Sequence, residues 1–336
     1  MKYLLLSVAT VLVLAAQNAN ADIAEEIKGR KVYTCAYMQD PPQSAKAWSI
    51  SDMVKTGKNR ESRFVEYNSE AAKNLWLDAT TERTYEADPK LKGRETSFYM
   101  AYDARGWHIY IESREPDTAK DGGKLEIFFA PGLNNVYYHQ MMVSQPSDNG
   151  GFFDWGMPHR DYRSLKSYVT VDSKATDVGF GSYIFVPWEA VYDRLPLDND
   201  YWRFSFMRWG TRVTWGGNVH DTGNFGLVQF EKPEQTVIEA IRVNMLKAAW
   251  EKFQETAKQA AKTWNDEKTG DRDFFTEKLQ PEINVYMDFA KSLGDPATWN
   301  GETAAKAQGV LKEWMEFNYT VAALRTTFLM DKQFAE

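Results

Sequence analysis

The sequence predicts a mainly β chain: an antiparallel β-sandwich of the immunoglobulin-like or jelly-roll-like kind, followed by a three-helix C-terminal region. Three observations carry this. Between residues 95 and 232, short runs rich in Val, Ile, Phe, Tyr and Trp alternate with clusters of Gly, Pro, Asn and Asp, as many short strands joined by turns require. Beyond Pro233 the apolar residues recur at three and four positions, the spacing of helices that bury one face. The first residues match neither pattern and read as an export leader.

That leader is residues 1–21. Lys2 precedes an apolar run from Leu4 to Ala16, shorter than the roughly 20 apolar residues a membrane span needs. Ala19-Asn20-Ala21 places small residues at the two positions a signal peptidase reads. Cleavage leaves Asp22 first, and the expected location is periplasmic or secreted. No later run is apolar enough to span a bilayer, so no transmembrane segment is expected after cleavage. The expected division is a leader (1–21), a β unit with an irregular N-terminal lead-in (22–232) and a helical region (233–336).

In the lead-in, Asp40-Pro41-Pro42 marks a turn and Glu70 to Leu77 suits a short helix. Ser97 to Tyr102 and Trp107 to Glu112 flank a Gly-containing turn and read as a hairpin. Lys124 to Phe129 ends at Ala130-Pro131-Gly132, a turn signal. Strands follow over Val136–Ser144, Tyr168–Val171, Gly181–Trp188, Tyr201–Trp209, Thr211–Trp215 and Phe225–Phe230, with one helical turn over Glu189–Arg194. Pro146 to Arg163 reads as a loop, because Gly150, Gly151, Gly156 and Pro158 interrupt it. The first helix carries Ile238, Ile241, Met245, Trp250 and Phe253 on one face. The second covers about Phe274 to Leu293 and stops at Gly294-Asp295-Pro296. The third runs from about Glu302 to Lys332.

Composition narrows the partners. The formal net charge is −7, and loss of Lys2 makes the cleaved chain more acidic still; this disfavours nucleic acid and anionic membrane surfaces. The single cysteine, Cys35, excludes an intramolecular disulfide. It lies in the β-prone stretch Val32–Tyr37 and reads as a buried small hydrophobe, with an intermolecular bridge as the alternative. Aromatic residues make up 14% of the chain, including 12 Trp. Such rings serve a large core or a flat polar ligand equally well.

The order of motifs over about 70–232 resembles family 9 carbohydrate-binding modules and the wider group of DOMON-like sandwiches. The matching pieces are Tyr102-Asp103 before Trp107-His108-Ile109-Tyr110, then Leu125-Glu126-Ile127-Phe128, Ile184-Phe185-Val186-Pro187-Trp188, Trp202 to Arg208, Thr214-Trp215-Gly216 and His220 to Gly226. The resemblance implies a β-sandwich that binds a carbohydrate or glycan. The two stacking tryptophans of the sugar-binding members fall near Lys120 and at Val219-His220 in this chain, where no Trp stands. Any aromatic platform must therefore come from elsewhere.

Within Pro146–Arg163, Phe153 and Trp155 offer ring faces, and Arg160 and Asp161 offer hydrogen-bonding groups beside them. Packing against the sheet is the competing reading of those rings. Trp209, at a strand end, and His220, next to Asp221, complete the candidate ligand-binding set. For calcium, Asp117, Asp121 and Glu126 cluster around one strand entry, without the regular spacing of a defined calcium loop. No other cofactor is expected. The four His lack metal-ligand spacing, which argues against zinc. No nucleophile elbow, P-loop or dinucleotide fingerprint is present, so no catalytic residue is assigned. A carboxylate pair from distant positions is the hydrolytic arrangement that spacing does not reveal.

The expected function is thus an exported, non-catalytic carbohydrate-binding or glycan-associated protein, with the C-terminal helices available to a protein partner. Two alternatives stand beside it. One is a haem-binding, DOMON-like electron-transfer protein, with Met100, Met141, Met142 or His139 as axial ligands. The other is a scaffold or adaptor of a cell-envelope assembly.

Overall fold

The computed structural model describes residues 25, 27–48, 93–94, 96–115, 123–132, 138–147, 149–155, 162–164, 169–177, 179–191, 201–209, 213–216 and 219–335. The expected leader and the Glu70–Leu77 helix lie outside the described residues.

Among the described residues the β unit contains β1 (Val32–Tyr37), β2 (Thr96–Tyr102), β3 (Gly106–Arg114), β4 (Lys124–Ala130), β5 (Tyr138–Ser144) and β6 (Gly150–Trp155). It continues with β7 (Tyr162–Ser164), β8 (Thr170–Thr176), β9 (Gly179–Pro187), β10 (Tyr201–Arg208), β11 (Val213–Trp215) and β12 (Gly226–Phe230). They form one curled sheet in the order β7-β6-β5-β4-β10-β12-β1-β2-β3-β9-β8, with β11 on the side of β10. This corrects the purely antiparallel sandwich, immunoglobulin-like or jelly-roll-like, that the sequence suggests. The reason is β1. It lies between the two antiparallel halves and pairs parallel with both β12 and β2. The segment taken for an irregular lead-in thus supplies a central strand.

The residues 146–163 also differ from expectation. They are not simply loop: β6 pairs with β5 on one side and with β7 on the other. Gly150 and Gly151 lie inside the ladder, and their turn-like composition hides the alternation that follows them. Phe152 points into the core while Phe153 and Trp155 take the opposite face, as a period of two demands.

The two halves share one core. Trp107 and Trp202 meet edge to face at 5.9 Å, and Trp202 meets Phe230 at 5.1 Å. Phe98, Phe129, Trp188, Phe204 and Trp215 fill the surrounding space. Edge-to-face contacts suit the ring quadrupole and add to the area that burial removes from water. Tyr33 anchors β1, its hydroxyl accepting the Met100 N–H at 2.8 Å. Cys35 is fully buried in this core, and burial pushes its thiol well above the usual range. It is placed as a packing residue and not to bridge a second chain. Arg208 is an exception in an apolar interior. It donates to the carbonyls of Arg94 and Arg114, each at 2.8 Å, and pairs with Glu115 at 2.7 Å. The charge is retained because hydrogen bonds surround it.

The helical region starts with the long helix Gln235–Trp264. Its first turns close the β core through Ile241 and Met245. From Leu246 onwards the same helix builds a second core with Phe274, Leu279, Trp314 and Phe317. A second run, 272–292, passes through a π turn at Phe275–Leu279 before Gln280–Ser292. The third expected helix is not continuous. It is divided into Gly301–Ala307, Leu311–Met315 and Phe317–Ala335, with a 3-10 turn at Gln308–Val310. That turn contains Gly309, the poorest helix former after proline. The count of three helices is corrected accordingly. No helix among the described residues is long and apolar enough to cross a membrane.

Candidate functional site

The outer face of β4, β5 and β6 carries an aromatic wall. Strand alternation turns Leu125, Ile127, Phe129, Met141, Val143 and Phe152 to the core. The same alternation turns Glu126, Phe128, Tyr138, Gln140, Phe153 and Trp155 outwards. Register then brings the outward residues together, since Tyr138 is opposite Trp155 and Gln140 is opposite Phe153. Trp155 stacks on Tyr138 with ring centres 6.1 Å apart and 9° between planes. Phe153 extends the same surface, 6.3 Å from Trp155.

His220 closes one end of this wall. Its ring meets Trp155 edge on at 5.1 Å and Phe128 at 5.0 Å. Its Nδ1 is 2.7 Å from the Tyr138 hydroxyl. Burial lowers its pKa, against a smaller upward pull from Glu126. The neutral form is therefore favoured, and Nδ1 and the Tyr138 hydroxyl share one hydrogen bond whose direction follows the tautomer. His220 has φ = 64°, a left-handed conformation uncommon outside glycine. The following turn, Thr222–Asn224, is held by the fully buried Arg203, which donates to the Thr222 carbonyl at 3.2 Å. The site thus combines adjacent strands with a strained turn pinned from below.

Two polar groups lie beside the rings. The Trp155 indole N–H donates to Gln140 Oε1 at 2.8 Å. An indole can only donate, so this bond fixes the amide orientation and sets the Gln140 NH2 group next to the indole edge. Glu126 is 5% exposed. Its cross-strand neighbours are Met142 and Met207. Among the described residues its carboxylate has no hydrogen bond and no ion pair.

Of the ligand-binding residues expected from sequence, Phe153, Trp155 and His220 come together here. Trp209 does not join them. It is 41% exposed, with Lys124 Nζ 5.5 Å above its ring. Lys124 precedes Phe128 by four residues on β4, about 13 Å at the usual strand rise. Arg160 and Asp161 lie outside the described residues, as do Asp117 and Asp121 of the calcium set. Among the described residues no three His, Cys, Asp or Glu side chains are grouped to hold a metal ion. Met100 and Met141 are fully buried in the shared core, His139 pairs with Asp154 at 2.7 Å, and Met142 lies on the outer face next to Glu126. Tyr138, Gln140 and Phe128 join the site although no motif singles them out. The alternation of β4 and β5, continued across to Trp155, was the signal that could have found them.

No family model and no curated protein matches the chain. Three solved structures are similar in layout. A Bacteroides uniformis ATCC 8492 protein with a proposed carbohydrate-binding role matches over 60% of this chain and 100% of its own, at 14% identity and TM-score 0.41. A family 9 carbohydrate-binding module from Caldicellulosiruptor kristjanssonii, in complex with cellotriose, matches over 61% of this chain and 96% of its own, at 11% identity and TM-score 0.39. A glucose complex of a family 9 module from the same organism covers 61% and 98%, at 11% identity and TM-score 0.38.

Proposed function

We propose that this is an exported, non-catalytic carbohydrate-binding protein whose sugar platform is the outer face of β4–β6. The supporting observation is the juxtaposition of the Tyr138–Trp155–Phe153 ring surface with the Glu126 carboxylate, which has no hydrogen bond or ion pair among the described residues. A pyranose has one face of C–H groups and a rim of hydroxyls. The C–H face packs on indole and phenol, while the rim donates to Glu126 and exchanges hydrogen bonds with Gln140. Hydrogen bonds to a charged group contribute about 1.5–3 kcal/mol each, and ring contact adds apolar burial. After the cost of association, a dissociation constant in the millimolar to micromolar range is expected, on the order of −4 to −8 kcal/mol. Nothing in this arrangement pairs an acid and a base across a scissile bond, and the reading is of binding alone.

Calorimetric titration of soluble glycans tests this. One or more glycans should bind the wild type, and Trp155→Ala should reduce affinity at least tenfold. Trp209→Ala, at the far end of the same face, should leave affinity within twofold. If Trp155→Ala binds as well as the wild type, the platform is wrong. If Trp209→Ala alone abolishes binding, the site belongs at the other end of β4.

A further inference from the structure

The opposite half of the sheet has its own outer face, and a strap of chain runs across it. Residues 41–48 are held there by the Ala45 N–H, which donates to Asp172 Oδ2 at 2.8 Å, and by Trp48, which stacks on Tyr110 at 6.1 Å. Beside the strap is an open cavity of about 90 Å³, lined by Gln43, Arg105, His108, Thr170, Tyr183 and Phe185. It would admit about three waters at about 30 Å³ each, or a group of a few heavy atoms. The site described above lies on β4–β6. This cavity is built instead by β3, β8, β9 and the strap.

The polar lining is organised from behind by Asp103. Its Oδ2 accepts from Arg105 Nε and NH2 at 2.8 and 2.6 Å, and its Oδ1 is 3.3 Å from His108 Nε2. His108 is fully buried, and its Nδ1 is 2.9 Å from the Tyr183 hydroxyl. His108 Nδ1 and the Tyr183 hydroxyl share one hydrogen bond, and in either direction the Tyr183 oxygen keeps a lone pair for a further donor. Burial raises the Tyr183 pKa, so the phenol keeps its proton. The Tyr183 oxygen then offers an acceptor beside N–H groups of Gln43 and Arg105 and the hydroxyl of Thr170. Arg105, the one cation among the described lining residues, is compensated by Asp103. Phe185 supplies an apolar wall, with the Arg105 guanidinium 5.9 Å from its ring centre.

We infer that this cavity is a second ligand site, one that takes a neutral polyhydroxylated molecule by a pair of adjacent hydroxyls. The local charge balance gives a free anion little to gain. Donors and acceptors together beside an aromatic wall match a group that both donates and accepts, as a hydroxyl does. The site stands independently of the β4–β6 reading, because it uses other residues on the opposite half of the sheet.

The chain has four His residues, at 108, 139, 159 and 220, which makes imidazole NMR a direct test. His108 reports on this cavity, His220 on the β4–β6 platform, and His139 on the core. Full-length protein labelled with ¹³C in its histidines is titrated with glycerol, D-xylose, D-glucose and, separately, sodium acetate. At least one neutral polyol should shift His108 saturably while His139 stays still. Thr170→Val, at an exposed strand position, should weaken that response about five- to tenfold, and Tyr183→Phe should remove it. Trp155→Ala should leave it intact, even where His220 no longer responds. The inference is overturned if none of the polyols moves His108, if acetate moves it and the polyols do not, or if its response disappears with Trp155→Ala.

Discussion

Trp202 and Trp155 belong to the same curled sheet, and both are surrounded by other rings, yet their settings differ. Trp202 is fully buried, edge to face with Trp107, Trp188 and Phe230. Trp155 is half-buried, stacked on Tyr138, with its N–H held by Gln140 and the Glu126 carboxylate on the same face. The inner set is enclosed on every side by other rings of the core, which leaves no surface for a ligand. The outer set is a flat stack with polar groups along one side, which leaves surface for a further partner. Composition counts the two kinds of Trp together. Strand parity separates them, and each substitution below tests whether that separation is one of function.

The largest effect belongs to the inner set. Trp202→Ala should cost about 3–5 kcal/mol of stability, since it removes a fully buried ring whose neighbours can collapse only in part. Denaturant unfolding measures this directly. Glycan affinity of the fraction that remains folded should be unchanged. A loss below about 1 kcal/mol would mean that the inner rings are not the support they seem in cross-section, and the contrast with Trp155 would fail.

The intermediate effect belongs to the outer set. Glu126→Gln keeps the shape and removes the charge. Stability should hold, because no hydrogen bond or ion pair among the described residues is lost. Glycan affinity should fall about tenfold, equivalent to about 1.4 kcal/mol. Calorimetry and unfolding on the same variant distinguish this from a purely structural role. A clear loss of stability with unchanged affinity would place Glu126 with the framework instead of the site.

Much of this contrast was legible in the sequence, and the remainder was hidden for identifiable reasons. The hairpin of β2 and β3 announces itself through alternation around Asp103–Gly106. The helices announce themselves through the change of period beyond Pro233. β1 did not, because six β-prone residues say nothing about which strands they will pair with or in which direction. β6 was obscured by Gly150 and Gly151, which are common in loops and here sit in a ladder. Trp155 and His220 were each visible as candidates, but their meeting at 5.1 Å depends on the turn that Arg203 pins from below. A contact between residues 65 positions apart is a product of topology, and Trp209 shows the converse. It lies on the same half of the sheet as Trp155, yet the strand carries it to the other end.

The smallest effect should come from the edge of the outer set, and it has a sign. Burial lowers the His220 pKa below the ordinary imidazole value of about 6.5, against the weaker opposite pull of Glu126. Between the lowered folded value and about 6.5, the unfolded chain binds more protons than the folded one. Stability contributed by the neutral ring is therefore complete above about pH 6.5 and is lost as pH falls through that window. His220→Asn removes the titration while keeping a residue that tolerates φ = 64°. The difference between the two pH profiles reports on this ring together with its pull on Glu126. On going from pH 8 to 5.5 the wild type should lose slightly more stability than His220→Asn, read from denaturant midpoints at the two pH values. More than a third of His220 is exposed, so solvent screens the effect and the difference should be small. Identical profiles would mean that His220 feels bulk water, and that the wall ends at Trp155. A larger loss in the Asn variant would reverse the sign and put the protonated ring, paired with Glu126, in the folded state.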